Sequence, residues 1–415
     1  MTGDRLGVGF IGAGFITREF HAPTFHRIRD ADITGIMNPT ESKAESMAES
    51  CPSVATGDPI ATDSVRDLVQ HRAVDAVWVT SPNHTRVGTV EAIVEEVEQG
   101  GADLEGVAIE KPLARTVEEA REIVETIEGT SMNHAYLENL VYMPAVMRMK
   151  ERLWESAQAV GRPYLARSTG EHSGPHSAWF WDGTKQGGGV LTDLMSHYLV
   201  VNRYLLSTPG DSDLDPVAVT CDMSTLKWNR EDYAEDLAEE YDVDYHESPS
   251  EDYASATVYY ETPTGELIMG EATTSWCFVG SGIRITVELL GPEYSGSVNT
   301  LDSGTEVYIS DAAVDESANS DDDGPTVGGS MPLVPQEVST YGYLDQNEHV
   351  VDAFRAERNA REDLRDGLQI AELIAAAYMS AEQGERIRLH DVDVESYVPA
   401  PGRGEFGGGP PDLQR

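Results

Sequence analysis

The 415-residue sequence has few cysteines, few basic residues and no run of about eighteen apolar residues. The three cysteines, Cys51, Cys221 and Cys277, are widely spaced and form no CxxC pair, which excludes a zinc ribbon and a disulfide framework. The missing apolar run predicts no membrane-spanning helix. Asp4 and Arg5 interrupt the N-terminal residues, which therefore do not predict a secretory signal, and we expect a cytoplasmic protein.

Basic residues number 29 against 73 acidic residues, which gives a formal net charge of -44. Such a surface repels a phosphate backbone, so we expect no nucleic-acid partner. The acids are spread through both halves of the chain and do not form a tail. Pervasive acidity is typical of proteins that fold in concentrated salt, where screening weakens self-repulsion. The composition therefore predicts a protein of a halophilic archaeon, with a specialised acidic binding surface as the alternative.

Hydrophobic residues make up 40% of the chain, enough for folded cores, and the length fits two domains. Apolar strand patterns alternate with helical patterns in the first third of the sequence, which predicts a doubly wound parallel sheet. We expect a Rossmann dinucleotide-binding domain over residues 1–135. The predicted elements are strands at 6–11, 31–37, 75–80 and 106–109 and helices at 15–28, 41–49, 85–99 and 117–127.

Beyond about residue 135 a long predicted helix (143–159) is followed by strands that cluster without helices between them. This pattern favours an open, mainly antiparallel sheet with helices on one face, an α+β domain over residues 136–398. Residues 229–251 and 311–329 are predicted as solvated loops, and 399–415 as a flexible tail. An open sheet leaves one face to be covered, so the second domain predicts a homo-oligomer, a dimer or tetramer. Predicted elements here are strands at 164–169, 217–223, 254–261, 266–273, 282–290 and 306–309 and closing helices at 343–357 and 361–383.

A glycine turn follows the first predicted strand and opens a helix, running from Gly9 through Gly12 and Gly14 to Phe15 and Ile16. Gly12 and Gly14 permit the tight turn and a close approach of the backbone to a pyrophosphate. Thr17 occupies the third glycine position of the usual fingerprint. The context of the turn predicts a dinucleotide cofactor, NAD or NADP.

The second predicted strand ends at Asn38, where NAD enzymes carry an acid for the ribose. Asparagine donates a hydrogen bond to a ribose hydroxyl or to a 2′-phosphate, and Lys43 is near enough to support a phosphate. The nearby acid Glu41 counts against a 2′-phosphate and therefore against NADP. The choice between NAD and NADP therefore stays open at this point.

Several motifs, in this order and spacing, resemble the Gfo/Idh/MocA oxidoreductases, the family of glucose–fructose oxidoreductase and inositol dehydrogenase. The resemblance covers nearly the whole chain and rests on the glycine turn, on residues 79–84 (VTSPNH), on Glu110-Lys111-Pro112, on residues 187–197 (GGGVLTDLMSH) and on residues 377–384 (AYMSAEQG).

The resemblance implies an NAD(P)-dependent enzyme without a metal. It places Thr80, Pro82, Asn83 and His84 against the nicotinamide ribose, with Glu110 on the ribose hydroxyls; a salt bridge at the sheet edge is the alternative for Glu110. It also assigns the catalytic roles to Lys111, Asp193 and His197 and pairs Asp193 and His197 with the lysine. At the sheet edge Lys111 is in addition expected to contact the cofactor, close to the nicotinamide.

The residues themselves support that assignment. Oxidation of an alcohol removes a hydride from carbon and a proton from oxygen, so a base is needed beside the hydroxyl. Lys111 follows a buried strand at the carboxyl edge of the predicted sheet, where ligands of such sheets bind. Asp193 and His197 are four residues apart, so on a helix they share a face, and Asp193 is placed to orient His197 or bind a hydroxyl. A surface lysine, a capping aspartate and a core histidine are the alternatives.

Five further residues are candidates for the substrate site. Trp179 and Trp181 flank polar groups, an arrangement that grips sugar rings, although buried aromatics are equally compatible with the sequence. His176 lies just before them, and His134 and Tyr136 fall at the expected seam between the domains.

These observations predict a dehydrogenase or reductase that transfers a hydride between NAD(P) and a secondary alcohol or carbonyl of a sugar, polyol or sugar derivative. A glycosidase that uses bound NAD transiently, and a non-catalytic sugar or dinucleotide sensor, are the alternatives. A carbohydrate is the expected partner, and no membrane partner is expected.

Overall fold

The computed structural model describes residues 5–51, 57–247, 249–280, 282–302, 306–309, 329–332 and 336–409. The predicted loop at 311–329, apart from Gly329, and the part of the predicted tail beyond 409 lie outside the described residues. Among the helices in the described ranges, none is long and apolar enough to cross a membrane.

The N-terminal part forms a six-stranded parallel sheet in the order β3-β2-β1-β4-β5-β6. Its strands are β1 Leu6–Ile11, β2 Ala31–Met37, β3 Ile60–Thr62, β4 Ala76–Val79, β5 Gly106–Glu110 and β6 Asn133–Leu137. Its helices are α1 Ala22–Phe25, α2 Glu41–Ser50, α3 Val65–Val69, α4 Arg86–Glu98 and α5 Val117–Glu128. The predicted doubly wound sheet is confirmed, and the sequence pattern missed the short strands β3 and β6 and the short helix α3.

The strand order reverses between β1 and β4, so the chain leaves these two neighbours in opposite directions. The crevice outside the carboxyl ends of such a pair is where open α/β sheets bind their ligands. Gly12 and Thr80 follow directly after these two strands and therefore border that crevice.

The single helix predicted over 15–28 is wrong in detail. A π-helical turn, Ile16–His21, comes first and is followed by the short α1. Pro23 has no backbone N–H to donate, so a regular helix cannot run unbroken through this position.

The second part of the chain forms a seven-stranded sheet in the order β12-β11-β7-β10-β9-β8-β15, in which only β7 and β10 pair in parallel. The strands are β7 Leu165–Glu171, β8 Asp215–Ser224, β9 Tyr253–Glu261, β10 Leu267–Ser275, β11 Arg284–Leu290, β12 Ser295–Asn299 and β15 Ile387–Arg388, with β13 Glu306–Ile309 and β14 Gly329–Pro332 paired separately. The helices are α6 Pro144–Val160, α7 Ala178–Trp181, α8 Gly183–Gln186, α9 Ser196–Leu206, α10 Glu231–Tyr241, α11 Glu337–Thr340, α12 Tyr343–Arg355, α13 Leu364–Gln383 and α14 Ala400–Arg403. The predicted mainly antiparallel sheet is confirmed.

Helices α9 and α13 cover one face of this second sheet. Along β9 the residues alternate between buried and half-buried, so the opposite face of the sheet is the more open one. Helix α12 instead returns to the first sheet, where Phe354 packs edge-on against Trp78 with ring centroids 5.8 Å apart. The closing part of the chain therefore completes the core of the N-terminal sheet.

Two predicted irregular segments are ordered. Residues 229–251 contain α10, which buries Ala234 and Leu237, because an apolar stripe at helical spacing runs through an otherwise acidic segment. In the segment predicted as a flexible tail, α14 is formed and Ala400 and Phe406 are buried. Acidic or glycine-rich composition alone did not reveal these apolar contacts.

Candidate active site

The glycine turn needs its two motif glycines for different reasons. Gly12 has φ of +116°, and an added Cβ would lie 3.0 Å from the Thr80 carbonyl carbon and hydroxyl. Gly14 is exposed, and nothing lies within 4 Å of where its Cβ would be. Position 12 therefore fixes the turn, while position 14 leaves open backbone beside the crevice. Phe15 and Ile16 follow at the start of the π-helical turn and are half-buried.

Gly9, by contrast, lies inside β1 and does not border the crevice. A Cβ there would be 3.1 Å from Val74 and 3.2 Å from Leu68. Its small size lets α3 and the segment after it pack on the sheet. The prediction that Gly9 contacts the cofactor is corrected to this packing role.

Thr17 and Asn38, the two residues that differ from the usual fingerprint, form hydrogen bonds that stabilise the glycine turn. The Thr17 hydroxyl donates to the carbonyl of Gly12 (2.8 Å) and lies 2.8 Å from the Thr80 hydroxyl. Asn38 Oδ1 accepts from the N–H of Ala13 (3.3 Å). Thr17, Thr80 and Asn38 therefore brace the backbone that would hold a pyrophosphate.

The loop after β4 is tied to the second part of the chain. Pro82 precedes a 3₁₀ turn, Asn83–Thr85, and Asn83 Nδ2 donates to the Gln186 carbonyl (2.8 Å) and side-chain oxygen (3.1 Å). Asn83 Oδ1 is buried and has no hydrogen-bond partner among the described residues. The pKa of His84 is lowered, mainly by burial and secondly by the charge of Arg115, so this ring favours its neutral form.

Lys111 and Asp193 meet at the carboxyl end of β5. Lys111 Nζ donates to Asp193 Oδ1 (3.1 Å) and to the Asp193 carbonyl (3.2 Å). Asp193 Oδ2 accepts from Trp276 Nε1 (3.2 Å), and His172 Nε2 lies 3.8 Å away. Burial raises the pKa of Asp193, but Lys111 and His172 outweigh it and hold that pKa well below the usual range. The carboxylate therefore stays charged and fixes the lysine.

Arg86 fastens the main chain on both sides of Lys111. Its guanidinium is buried and donates to the carbonyls of Glu110 and Pro112, and its Nε donates to the Ser81 carbonyl (3.1 Å). Burial lowers the pKa of Arg86 to about 10. Nothing in the sequence around Arg86 signalled this role, because the carbonyls of Glu110 and Pro112 are more than twenty residues away.

Glu110 is buried beside this turn. Its Oε2 accepts from His21 Nε2 (3.1 Å), whereas its Oε1 is buried without a partner in the described chain. The ring of His21 is held from the other side by Asn347 of α12 (3.2 Å). One oxygen of Glu110 therefore remains available toward a ligand.

His197 is oriented by Glu138, which the sequence analysis missed. His197 Nδ1 lies 2.8 Å from both carboxylate oxygens of Glu138, and Glu138 is fully buried. A carboxylate accepts, so Nδ1 carries the hydrogen and Nε2 is the nitrogen left for a substrate. The described residues show no hydrogen bond between His197 and Asp193, which corrects the expected pairing. Asp193 lies in a π-helical turn, Leu191–Met195, and the wider turn breaks the four-residue repeat of an α-helix.

Two of the predicted substrate residues lie against the cofactor half of the crevice. The His176 ring is 4.1 Å from that of Phe15, and Trp179 is stacked on Phe180 at 3.8 Å and lies 6.4 Å from His84. These rings therefore adjoin the glycine turn and the loop after β4.

The other three, His134, Tyr136 and Trp181, are buried in the fold, and their role toward a substrate stays a prediction; the Tyr136 hydroxyl is buried without a hydrogen-bond partner among the described residues. His134 Nδ1 accepts from the N–H of Leu364 (3.2 Å) at the start of α13. Trp181 donates to the Pro175 carbonyl (3.2 Å) inside an aromatic cluster. Tyr136 packs beside Gly367, where a Cβ would lie 2.9 Å from its ring.

The arrangement fits a nicotinamide dinucleotide. Gly14 offers open backbone, and Glu110 Oε1 and Asn83 Oδ1 are buried acceptors left without partners in the described chain, as ribose hydroxyls would require. Within the described ranges no cluster of three or more His, Cys, Asp or Glu side chains is placed to hold a metal ion.

The Rossmann sheet and its glycine turn are the architecture of a dinucleotide-binding protein, and the lysine–aspartate pair at the carboxyl edge of the sheet is the arrangement of an oxidoreductase. Two family models specify it further. Residues 6–134 match "Oxidoreductase family, NAD-binding Rossmann fold", and residues 147–293 match "GFO/IDH/MocA C-terminal domain". The chain belongs to the GFO/IDH/MocA oxidoreductase family, and its N-terminal domain is an NAD-binding domain.

Characterised relatives share only part of the chain. It is 30% identical to 1,5-anhydro-D-fructose reductase of Ensifer adhaerens over 215 residues, 51% of this chain and 59% of that protein. It is 25% identical to D-xylose 1-dehydrogenase [NADP(+)] of Haloarcula marismortui over 263 residues, 62% and 67% of the two chains. For several relatives the match spans only about half of their length. The crystal structure of GenD2 from gentamicin A biosynthesis, in complex with NAD, shares the fold with a TM-score of 0.72, 24% identity and coverage of 94% and 97%.

Proposed function

We propose that this protein is an NAD(P)-dependent dehydrogenase or reductase acting on a secondary alcohol or carbonyl of a sugar, polyol or sugar derivative. The observation that carries the proposal is the buried ion pair between Lys111 Nζ and Asp193 Oδ1, 3.1 Å long, at the carboxyl end of β5. A lysine held there by a charged carboxylate exchanges a proton beside the crevice that the sheet provides: its neutral amine accepts a proton and its ammonium donates one.

The chemistry divides between the cofactor and the chain. When bound, a nicotinamide dinucleotide accepts or donates a hydride at the substrate carbon. In the oxidation the neutral amine of Lys111 takes the proton of the reacting hydroxyl and becomes the ammonium, and in the reduction that ammonium returns the proton to the carbonyl oxygen. Asp193 keeps Nζ in place. His197 presents Nε2 to a second substrate oxygen while Glu138 fixes its ring. Glu110 Oε1 and Asn83 Oδ1 receive ribose hydroxyls.

The names of the relatives support a carbohydrate substrate. One is a reductase of an anhydro sugar, another a dehydrogenase of D-xylose, and a third a D-glucoside 3-dehydrogenase of Escherichia coli at 27% identity over 51% of this chain. The neutral Asn38 at the end of β2 is compatible with NADP as well as NAD, because it brings no charge to repel a 2′-phosphate.

The test offers the purified protein NAD and NADP separately with D-glucose, D-xylose, myo-inositol, D-glucuronate and a 1,5-anhydro sugar in molar KCl. We expect at least one of them to reduce a cofactor, measured by the absorbance of the reduced nicotinamide. Tight NADH binding with no reduction by any sugar would contradict the proposal and favour a sensor. Hydrolysis of an aryl glycoside without net cofactor reduction would instead identify a glycosidase.

We further propose that the protein is a cytoplasmic homo-oligomer of a halophile. The net charge of -44 supports function in concentrated salt. The open face of the second sheet supports association, and Leu267, the first residue of β10, is 61% exposed. Light scattering after gel filtration in molar KCl should give the mass of a dimer or tetramer. A monomer at every concentration would contradict the oligomer, and a melting temperature that does not rise with KCl would contradict halophily.

A further inference from the structure

Three successive glycines lead the chain into the segment that carries Asp193. Gly187 and Gly188 have φ of +93° and +156°. A Cβ on Gly188 would overlap the hydroxyl of Tyr378, and a Cβ on Gly189 would overlap the carbonyl oxygen of Glu251. Gly188 and Gly189 are therefore needed because two distant residues, Tyr378 and Glu251, lie directly against the backbone here, whereas a Cβ on Gly187 would meet Arg115.

Glu251 binds three consecutive backbone amides at this entry. Its carboxylate Oε1 accepts from the N–H of Gly189 (2.9 Å) and of Leu191 (3.0 Å), and its carbonyl accepts from the N–H of Val190 (2.9 Å). The π-helical turn Leu191–Met195 has no side-chain cap from its own preceding residue. Glu251, which lies just before β9, therefore supplies the cap from another part of the fold.

Tyr378 of α13 contacts both Glu251 and the backbone that Glu251 binds. Its hydroxyl donates to Glu251 Oε1 (2.5 Å), accepts from the N–H of Gly189 (3.1 Å) and lies 3.1 Å from the Thr192 hydroxyl. Glu251 and Tyr378 are both fully buried. The residues on either side of Leu191 are thus held rigidly, two positions before Asp193.

We propose that Glu251 and Tyr378 form a buried latch that sets the position of Asp193, and through it Lys111, for hydride transfer. This inference rests on the proposed function. Neither latch residue hydrogen-bonds to Lys111, Asp193 or His197 in the described chain, so both are positioning residues.

The first test is Tyr378→Phe, which keeps the ring and removes the three hydroxyl contacts. We expect kcat for the fastest sugar of the panel to fall about tenfold, since a lost buried hydrogen bond shifts the aspartate. The KM of that sugar and the Kd of NADH should stay within about twofold. Tyr260→Phe is the matched control, because Tyr260 is also fully buried but its hydroxyl has no partner among the described residues. An unchanged kcat in Tyr378→Phe, or a loss of NADH affinity in its place, overturns the latch.

Glu251 is tested by a pair of substitutions. Glu251→Gln keeps an oxygen that accepts from the amides, so it should retain most of the kcat that Glu251→Ala loses. Circular dichroism establishes whether each variant is folded. If Glu251→Ala does not fold, the result for Tyr378→Phe decides whether the latch positions Asp193. Equal loss in Gln and Ala variants overturns the capping role.

A double variant separates a latch from a merely structural effect. If the latch acts through Asp193, Tyr378→Phe should lower kcat by less than about twofold in an Asp193→Asn background. A full additional loss in that background overturns the latch while leaving the proposed function intact. Full activity in Asp193→Asn alone contradicts the proposed function as well.

Discussion

The two halves of the candidate site differ in how far along the chain their contacts reach. In the cofactor half, Thr17 bonds to Gly12 five residues away and Asn38 bonds to Ala13 at a distance of 25 residues. In the chemical half, Lys111 and Asp193 are 82 residues apart, and His197 and Glu138 are 59 apart. The glycine turn of the cofactor half is therefore formed within the first sheet, whereas the chemical half exists only when both parts of the chain are folded together. Asn83 of the cofactor half is the exception, because it bonds to Gln186 of the second part, 103 residues away.

The strongest way to separate the two halves is Lys111→Ala. We expect turnover to fall by about a hundredfold or more, because the proton of the reacting hydroxyl loses its acceptor. The Kd of NADH, measured by fluorescence, should remain nearly unchanged. Lys185→Ala is the matched control, since Lys185 is exposed and, among the described residues, its ammonium forms an ion pair with Asp182 alone (3.0 Å). A variant that lost cofactor binding but kept its rate would place Lys111 in the cofactor half.

Glu138→Gln tests the second pair of the chemical half. The amide leaves the ring of His197 without a charged acceptor at Nδ1, so the tautomer that presents Nε2 is less favoured. We expect kcat to fall roughly tenfold to a hundredfold with little change in NADH affinity. Glu128→Gln is the control, because Glu128 lies near a structural histidine, His134, at 3.9 Å. An unchanged kcat would show that His197 needs no orienting partner.

The sequence predicted best what depends on short-range pattern. The glycine turn, the strands of the first sheet and the mixed architecture of the second part follow from local periodicity and turn residues, and the structure confirms the fold. Lys111 and Asp193 were singled out by their motifs, and the fold brings them into contact. The spacing of the motifs gives no measure of the distance between them, so the pairing of Asp193 with Lys111 came from the family resemblance alone, and the partner of His197 was not predicted.

What the sequence did not predict depends on long-range contacts. Glu138 and Arg86 act on residues that are distant in the chain and carry no local signature. The π-helical turn at Asp193 misled the four-residue spacing argument. The acidic segment before Glu251 resembles a solvated loop by composition, yet it ends in a fully buried carboxylate.

The glycines provide a comparison within the cofactor half. Gly12→Ala should lower the free energy of unfolding by about 1–3 kcal/mol, because φ of +116° and the contact with Thr80 both oppose a side chain. Gly14→Ala should leave stability nearly unchanged, since its Cβ enters open space, while weakening NADH binding. Urea unfolding and NADH titration measure both effects. Equal losses of stability in the two variants would contradict the different roles of the two glycines.

The last expected effect is a pH dependence of the free energy of unfolding, which originates at Glu251 beside the chemical half. Burial raises the pKa of Glu251 to about 7 against the opposing hydrogen bond from Tyr378, whereas the unfolded chain has the ordinary glutamate value. The folded state therefore holds a proton that the unfolded state has released, so this group's contribution to stability is present at low pH and is lost as pH rises from about 4.5 to 7. The change amounts to about 3 kcal/mol at most. Glu251→Gln should flatten the fall in melting temperature over this window, with Glu128→Gln as the control, and an unaltered slope would mean that Glu251 is charged in the folded protein throughout.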